Sequence, residues 1–274
     1  MIQNEKYAKL ISHLKNLERV ILAFSGGVDS TFLLKAGKEA LGKNIKAVTI
    51  QSPYIPKWEI EEAKQLVAEL GIDFEILEAP IIDEIRYNPE NRCYLCKKAV
   101  FSQIKAIAAR EGYRYVIDGT NYDDIGDYRP GLKALAELEI ISPLLDCQLT
   151  KQEIRNLSKE LGLGTWDKPP YACLLTRIPY GSELKEADFI KIEKAERYMM
   201  ARGFRAVRVR CHGDLARIEV DKKDRSRLFH EELLEEISAK LKEFGFTYVT
   251  LDLEGYRVGS FNPEPLLSRE AINE

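Results

Sequence analysis

The sequence has little of what marks a membrane or secreted protein. Its 274 residues include only five cysteines, and no apolar run approaches the roughly 20 residues that a membrane-spanning helix needs. Residues 1–6 lack the apolar core of a signal peptide. An odd number of cysteines in such a chain argues against a disulfide framework, so a close pair indicates metal binding or thiol chemistry. We therefore expect a cytoplasmic protein with no membrane contact.

An excess of positive charge is also missing. Lysine and arginine number 41 against 44 aspartates and glutamates, which gives a formal net charge of −3. This balance leaves no overall field to attract nucleic acid and argues against a nucleic-acid partner. The content of 45% apolar and 31% charged residues excludes a disordered chain. The length predicts one full domain plus a smaller one.

Short apolar runs alternate with segments of helical spacing in the first part of the chain. The runs lie at 20–24, 46–50, 74–77, 115–117 and 140–142. A capping box at Thr150 and Glu153 begins a further helix, which Gly162 ends. Strands that alternate with helices form parallel βαβ units. We therefore predict an α/β fold with a doubly wound parallel sheet in residues 1–165.

A different pattern follows Gly164. Residues 166–181 contain Lys168-Pro169-Pro170 and are predicted to form a loop or linker. Residues 182–274 predict a small α+β domain for substrate binding or oligomerisation. Its predicted elements are a helix at 186–202, a hairpin of strands at 206–210 and 215–220, a charged helix at 225–244 and a last strand at 248–253.

The first strand runs into the string Ser25-Gly26-Gly27-Val28-Asp29-Ser30. This turn lies at the carboxyl end of a parallel strand, where ligands bind in open sheets. Two glycines let the backbone approach an anion, and the hydroxyls and backbone N–H groups favour phosphate. The string is neither a Walker A motif nor a dinucleotide fingerprint. A bare Gly-Gly here would also fit an ordinary strand-to-helix turn.

The cysteines form one close pair and three single residues. Cys93 and Cys96 share one face of a predicted helix, and such a pair fits a redox dithiol, half a zinc site or part of an iron–sulfur site. Cys173 follows in the loop, near Arg177, which would favour the thiolate. Cys147 and Cys211 are expected to be structural.

The string at residues 25–30 resembles the signature of the PP-loop ATP pyrophosphatases, S-G-G-x-D-S. The resemblance implies that ATP is cleaved between its α and β phosphates to activate a substrate as an adenylate. Asp29 would then help to hold Mg²⁺. The adenine would lie near the ends of the first two strands, at Ala23, Phe24, Thr49 and Ile50.

Four later strings carry a closer resemblance. Residues 118–124, 127–131, 168–181 and 208–219 are similar to the LarE family, the ATP-dependent sulfur transferases of nickel-pincer nucleotide biosynthesis. The resemblance implies that carboxylates of a pyridinium mononucleotide are adenylated and converted to thiocarboxylates, for a cofactor used in lactate racemase maturation. It also implies an assembly of several copies of the chain.

The matching strings give the expected binding residues. Gly119, Asp124, Asp127 and Arg129 follow a strand that ends at Asp118, so we expect metal or pyrophosphate contacts, with loop capping as the alternative. The expected substrate ligands are Arg177, Glu196, Arg208 and Arg210. Arg208 and Arg210 are two apart on a strand and therefore share a face, as expected for a phosphate site. The alternative is a solvated face with ordinary ion pairs.

The resemblance implies a role for Cys173, because the best-known members of this family use the matching cysteine as a sacrificial sulfur donor. This sequence departs from them in having Cys93 and Cys96. Three cysteines can hold a [4Fe–4S] cluster with one open iron, and we expect that Cys93, Cys96 and Cys173 do so. A sacrificial Cys173 is the alternative.

Other functions fit parts of the pattern. A tRNA thiolase with the same ATP chemistry would need a basic surface. A synthetase that delivers ammonia to the adenylate would not need three cysteines. An ATP-binding sensor would release no pyrophosphate.

Overall fold

The computed structural model describes residues 4–126 and 130–257. They form two compact units, with the division between Cys173 and Leu174. The predicted roles of Asp127 and Arg129 lie outside the described residues. In the described part of the chain, every helix is too short or too polar to cross a membrane.

The first unit contains a four-stranded sheet that is parallel throughout. The strands are β1 (Val20–Ala23), β2 (Ile45–Gln51), β3 (Asp73–Glu78) and β4 (Tyr115–Ile117), in the spatial order β3-β2-β1-β4. The register joins Val20 to Ile45 on one side of β1 and to Tyr115 on the other. The predicted α/β fold with a parallel sheet is confirmed.

Helices cover both faces of this sheet. They are α1 (Glu5–Leu17), α2 (Val28–Leu41), α3 (Lys57–Leu70), α4 (Arg92–Glu111), α5 (Pro130–Glu137), α6 (Pro143–Asp146) and α7 (Lys151–Glu160). Val20 and Leu22 of β1 are buried in one core with Phe32 of α2. Ile21 is buried in the other core with Ile104 of α4. The apolar run therefore alternates between two cores, as a strand with both faces covered requires.

The second unit contains a three-stranded sheet, in the order β5-β6-β7. The strands β5 (Val207–His212) and β6 (Leu215–Val220) form an antiparallel hairpin, and β7 (Tyr248–Leu251) pairs parallel to β6. Two helices, α8 (Glu186–Ala201) and α9 (Glu231–Glu243), complete the described part of this unit.

Two predicted elements differ from the structure, and the start of α2 bears on the site. The helix predicted at 225–244 is a 3₁₀ segment, Lys222–Phe229, followed by α9, because His230 has an extended backbone and the helix restarts after it. The run at 140–142 forms one isolated bridge, between Ile141 and Ile117. The helix after the first strand begins at Val28, so Asp29 and Ser30 lie in its first turn.

Candidate active site

The turn at residues 25–30, called the phosphate loop below, joins β1 to α2. Gly26 has φ of +67° and a Cβ built on it would lie 3.4 Å from Ala63 Cβ, so a side chain here would be strained. The hydroxyl oxygens of Ser25 and Ser30 are 3.0 Å apart. Gly27 is the N-cap of α2, and since it has no side chain it provides no capping group. The loop therefore presents hydroxyls and a helix N-terminus to the same place, which suits an anion.

The segment that follows β4, the strand next to β1, lies close to the phosphate loop. A Cβ built on Gly119 would lie 3.1 Å from the backbone nitrogen of Ser30 and 3.3 Å from its Cα. Thr49 of β2 donates a hydrogen bond from Oγ1 to the carbonyl oxygen of Phe24, at 2.7 Å. The ends of three adjacent strands are thus fixed around the loop.

A cavity of about 480 Å³ opens at this edge of the sheet, and we call it the main cavity. Many of the residues predicted to bind ATP line it: Ala23, Phe24, Ser25, Gly27, Asp29, Ser30, Thr49, Ile50, Gly119 and Asp124. Cys173 lines it too. Gly26 is not among the lining residues. The cavity therefore places the Cys173 thiol in the same space as the phosphate loop.

Asp29 is the carboxylate at the centre of the loop. Its Oδ2 accepts from Lys151 Nζ, whereas its Oδ1 is buried and has no hydrogen-bond partner in the described structure. Burial raises the pKa of Asp29, and Lys151 counteracts this only in part. Lys151 is held in place by Asp123, whose Oδ2 accepts from the Lys151 backbone nitrogen at 2.8 Å.

The surroundings of Asp29 fit a magnesium ion. The oxygen Oδ1 is available as a ligand, and the negative charge of the nearby Asp124 acts on Asp29. Mg²⁺ in nucleotide sites is commonly bound by one or two carboxylates together with phosphate oxygens. Asp29 and Asp124 are therefore the residues that would hold it.

Tyr54 interacts both with Cys96 of the close pair and with the single cysteine Cys173. This buried residue lies in the loop after β2, and its hydroxyl is 3.2 Å from Cys96 Sγ. Burial raises the pKa of Tyr54, and Cys96 and Cys173 both act on it in the same direction. Burial also raises the pKa of Cys96, which interacts with Cys93. The thiols of Cys96 and Cys173 therefore lie within electrostatic reach of one phenol.

Cys93, Cys96 and Cys173 are the cysteines predicted to hold a [4Fe–4S] cluster. Within residues 4–126 and 130–257, no group of three histidine, cysteine or carboxylate side chains is placed to hold a metal ion. Their thiols are the donors that such a cluster takes, and Cys96 and Cys173 both act on Tyr54. The cluster on Cys93, Cys96 and Cys173 stays a prediction.

Several residues of the site carry no pronounced signal in the sequence. Lys97 is the single basic residue among the described residues that line the main cavity. Lys151 lies within the capping box of Thr150 and Glu153, which indicates only a helix start. Tyr54 lies in the loop after β2. Of the three, only Tyr54 follows a strand, since Lys97 lies on α4 and Lys151 on α7. Their contacts depend on the folded chain.

The predicted substrate ligands lie in the second unit and are deeply buried. Arg177 is 1% exposed and donates to both carboxylate oxygens of Glu196, at 2.9 Å each. Arg210 makes the same kind of paired contact with Glu219, at 2.9 and 2.7 Å. Arg208 packs over the ring of Tyr256, 4.9 Å from its centre. Their role in substrate binding stays a prediction.

Burial alone would raise the pKa of Glu196, but the charge and hydrogen bonds of Arg177 hold it below its usual range. The backbone nitrogen of Val209 also donates to Glu196, at 2.9 Å. Glu196 is therefore ionised and fixes β5 against α8.

The fold and the phosphate loop are those of an ATP-dependent enzyme of the PP-loop class, and residues 5–106 are similar to the NAD synthase family model. Comparison over the whole chain is more specific. The chain is 38% identical to the pyridinium-3,5-bisthiocarboxylic acid mononucleotide synthase of Lactiplantibacillus plantarum, over 94% of each chain. The chain belongs to the family of that synthase, the LarE family.

Two further relatives cover nearly the full length. An uncharacterised protein of Synechocystis is 40% identical over 94% of this chain and 97% of its own. An uncharacterised protein of Methanocaldococcus jannaschii is 36% identical over 94% of this chain and 99% of its own. The similarity therefore extends through both units.

Proposed function

We propose that this enzyme adenylates the carboxylates of a pyridinium mononucleotide and converts them to thiocarboxylates. The observation that carries the proposal is the main cavity, where the phosphate loop and the Cys173 thiol line one space. Family membership supplies the substrate class, because the Lactiplantibacillus plantarum relative is named for the bisthiocarboxylic acid mononucleotide.

The first step requires ATP to be held with its α phosphate accessible. The hydroxyls of Ser25 and Ser30, together with the N-terminus of α2, bind the phosphates. Mg²⁺ held by Asp29 and Asp124 would neutralise charge on the pyrophosphate. A substrate carboxylate oxygen attacks the α phosphorus and pyrophosphate leaves. Lys97, as the basic residue of the lining, is suited to hold that carboxylate.

The second step replaces the adenylate with sulfur. A sulfur nucleophile attacks the acyl carbon, the acyl–oxygen bond breaks, and AMP leaves as a stabilised anion. We propose that Cys93, Cys96 and Cys173 together supply this sulfur through a [4Fe–4S] cluster. When bound, such a cluster would present sulfide at an iron that has no protein ligand.

A second sulfur source is favoured by a specific observation. Cys173 lines the main cavity, whereas Cys93 and Cys96 are not among its lining residues in the described structure. In this scheme, the Cys173 thiolate forms a thioester with the acyl group. Loss of the Cys173 α proton then breaks the Cβ–Sγ bond, which leaves the thiocarboxylate and dehydroalanine.

The two schemes differ in iron content and in protein mass. After anaerobic purification and one round of turnover, the cluster scheme predicts about four irons per chain and an unchanged protein mass. The sacrificial scheme predicts no iron and the loss of one H₂S from the peptide that contains Cys173. Zinc in place of iron would contradict both schemes.

Substitution of the proposed donor separates the two steps. We expect Cys173→Ala to form no thiocarboxylate and still to release pyrophosphate at a rate within about two-fold of the wild type, because adenylation requires no thiol. Cys147→Ala is the matched control, since Cys147 is a buried thiol of the α/β core. It is expected to keep both steps. Thiocarboxylate formation by Cys173→Ala would contradict the proposal.

A further inference from the structure

Lys168 lies five residues before Cys173 and contacts the phosphate loop directly. Its Nζ donates to the carbonyl oxygen of Gly26, at 3.1 Å, and to Glu62 Oε2, at 2.6 Å. The Lys168 side chain is only 14% exposed. One ammonium therefore joins the loop, α3 and the segment that leads to Cys173.

Two aromatic rings complete the surroundings of this ammonium. Nζ of Lys168 lies 5.8 Å from the ring centres of both Trp58 and Tyr171. These two rings pack edge to face, with their centres 5.0 Å apart. A cation within about 6 Å of an aromatic ring is attracted by the ring. Because Tyr171 is two residues from Cys173, the contacts of Lys168 restrain the segment that bears the thiol.

The contact with Gly26 also orients a group that would bind phosphate. The peptide bond between Gly26 and Gly27 is planar and trans, so its C=O and N–H point in opposite directions. The carbonyl oxygen faces Lys168, and the Gly27 N–H faces Ser25 Oγ, 3.4 Å away. A phosphate at the N–H end and the ammonium at the C=O end would polarise this peptide in the same sense, so each would strengthen the other.

We infer that Lys168 is a positioning residue that couples occupation of the phosphate loop to the position of Cys173. The inference rests on the proposed function, since it takes ATP as the ligand of the loop. Coupling of this kind is reciprocal: ATP fixes the segment 168–173, and loss of the Lys168 contacts weakens ATP binding. Neither contact requires Lys168 to touch the reacting atoms.

The test uses the full-length chain prepared without iron, with α,β-methylene-ATP as a ligand that cannot be cleaved between these phosphates. Two quantities are measured: the dissociation constant of the analogue, and the rate of Cys173 alkylation by iodoacetamide with and without a saturating amount of analogue. The variants are Lys168→Met, Lys168→Gln and the charge-keeping Lys168→Arg. Lys64→Met is the control, because Lys64 lies on α3 and pairs only with the exposed Glu61 among the described residues.

We expect the analogue to slow alkylation of wild-type Cys173 several-fold. In both neutral variants the analogue should bind about ten-fold more weakly and have little effect on alkylation even at saturation. Lys168→Arg should keep most of the effect, and Lys64→Met all of it. Thermal unfolding of each variant shows whether it is folded. If one of the two neutral variants does not fold, the other still provides the test.

Direct shielding of Cys173 by the nucleotide is the opposing explanation. It predicts equal protection in the wild type and in the neutral variants once the analogue is saturating, and that result would overturn the coupling. Absence of analogue binding to the wild type would instead overturn the proposed function. The two failures are thus distinguishable.

Discussion

The two units differ in how the partners of their carboxylates are arranged. In the first unit, Asp29 has one oxygen paired with Lys151 and one buried without a partner. In the second, both oxygens of Glu219 accept from Arg210, and Arg217 adds a further contact at 3.1 Å. The first arrangement leaves a group for a ligand to complete, whereas the second is completed by the chain itself.

This difference shows in the direction of the pKa shifts. Burial dominates at Asp29 and raises its pKa. At Glu196, burial has the same tendency, but Arg177 reverses it and lowers the pKa. An acidic or basic residue near a cleft is thus a poor guide to binding unless its partners are known, because a neighbouring charge can already satisfy it.

The largest expected effect tests the second unit, where the pair of Glu219 and Arg210 is completed by the chain itself. Glu219→Gln leaves Arg210 buried without its counter-charge, so we expect the free energy of unfolding to fall by about 3–5 kcal/mol. Urea denaturation followed by circular dichroism measures this. The exposed pair of Lys240 and Glu243 provides the control, and Glu243→Gln is expected to change the stability by less than about 1 kcal/mol. Equal losses for the two variants would refute the distinction.

In the first unit, where Asp29 has an unpartnered oxygen in the described structure, a substitution is expected to reduce activity. Asp29→Asn removes the charge that would hold Mg²⁺ on the pyrophosphate, so pyrophosphate release should fall by about 10²- to 10³-fold. The control is Asp73→Asn, at an exposed position at the start of β3, which should leave the rate unchanged. A decrease of less than ten-fold for Asp29→Asn would show that this carboxylate is not central to the chemistry.

The smallest effect is a dependence on pH. Because the pKa of Glu196 is lowered in the folded state, its ionised form stabilises the fold above the unfolded pKa of about 4.3. That stabilisation is lost as the pH falls through the lower, folded pKa. Between pH 6 and 3, the stability of Glu196→Gln should therefore decrease less steeply than that of the control Glu235→Gln. Parallel curves in urea denaturation would contradict this.

Much of the first unit was predictable because one signal fixes each element. The run at Val20 to Leu22 requires burial on both sides, and the structure places its side chains alternately in two cores. The capping box of Thr150 and Glu153 is local and forms as predicted. The prediction of one helix at 225–244 was wrong, because the charged composition of this segment does not show where a helix begins. Asp221 accepts from the Lys223 backbone nitrogen and starts a 3₁₀ segment instead.

The site was predictable only where one string of residues contains it. The phosphate loop is such a string. The pairing of Arg210 with Glu219 is not, because it depends on the register of the hairpin, in which Arg210 lies opposite Arg217. The contacts of Lys168 join residues more than 100 positions apart in sequence, and no local pattern indicates them.

Gly119 lies where the segment after β4 meets the first turn of α2, and there is little space for a side chain at this position. A Cβ at position 119 would lie 3.1 Å from the backbone nitrogen of Ser30, so any side chain there would require the main chain to shift by a few tenths of an ångström. The approach of this segment to the first turn of α2 therefore depends on bare main chain, and a larger residue at position 119 would displace the helix start that borders the main cavity.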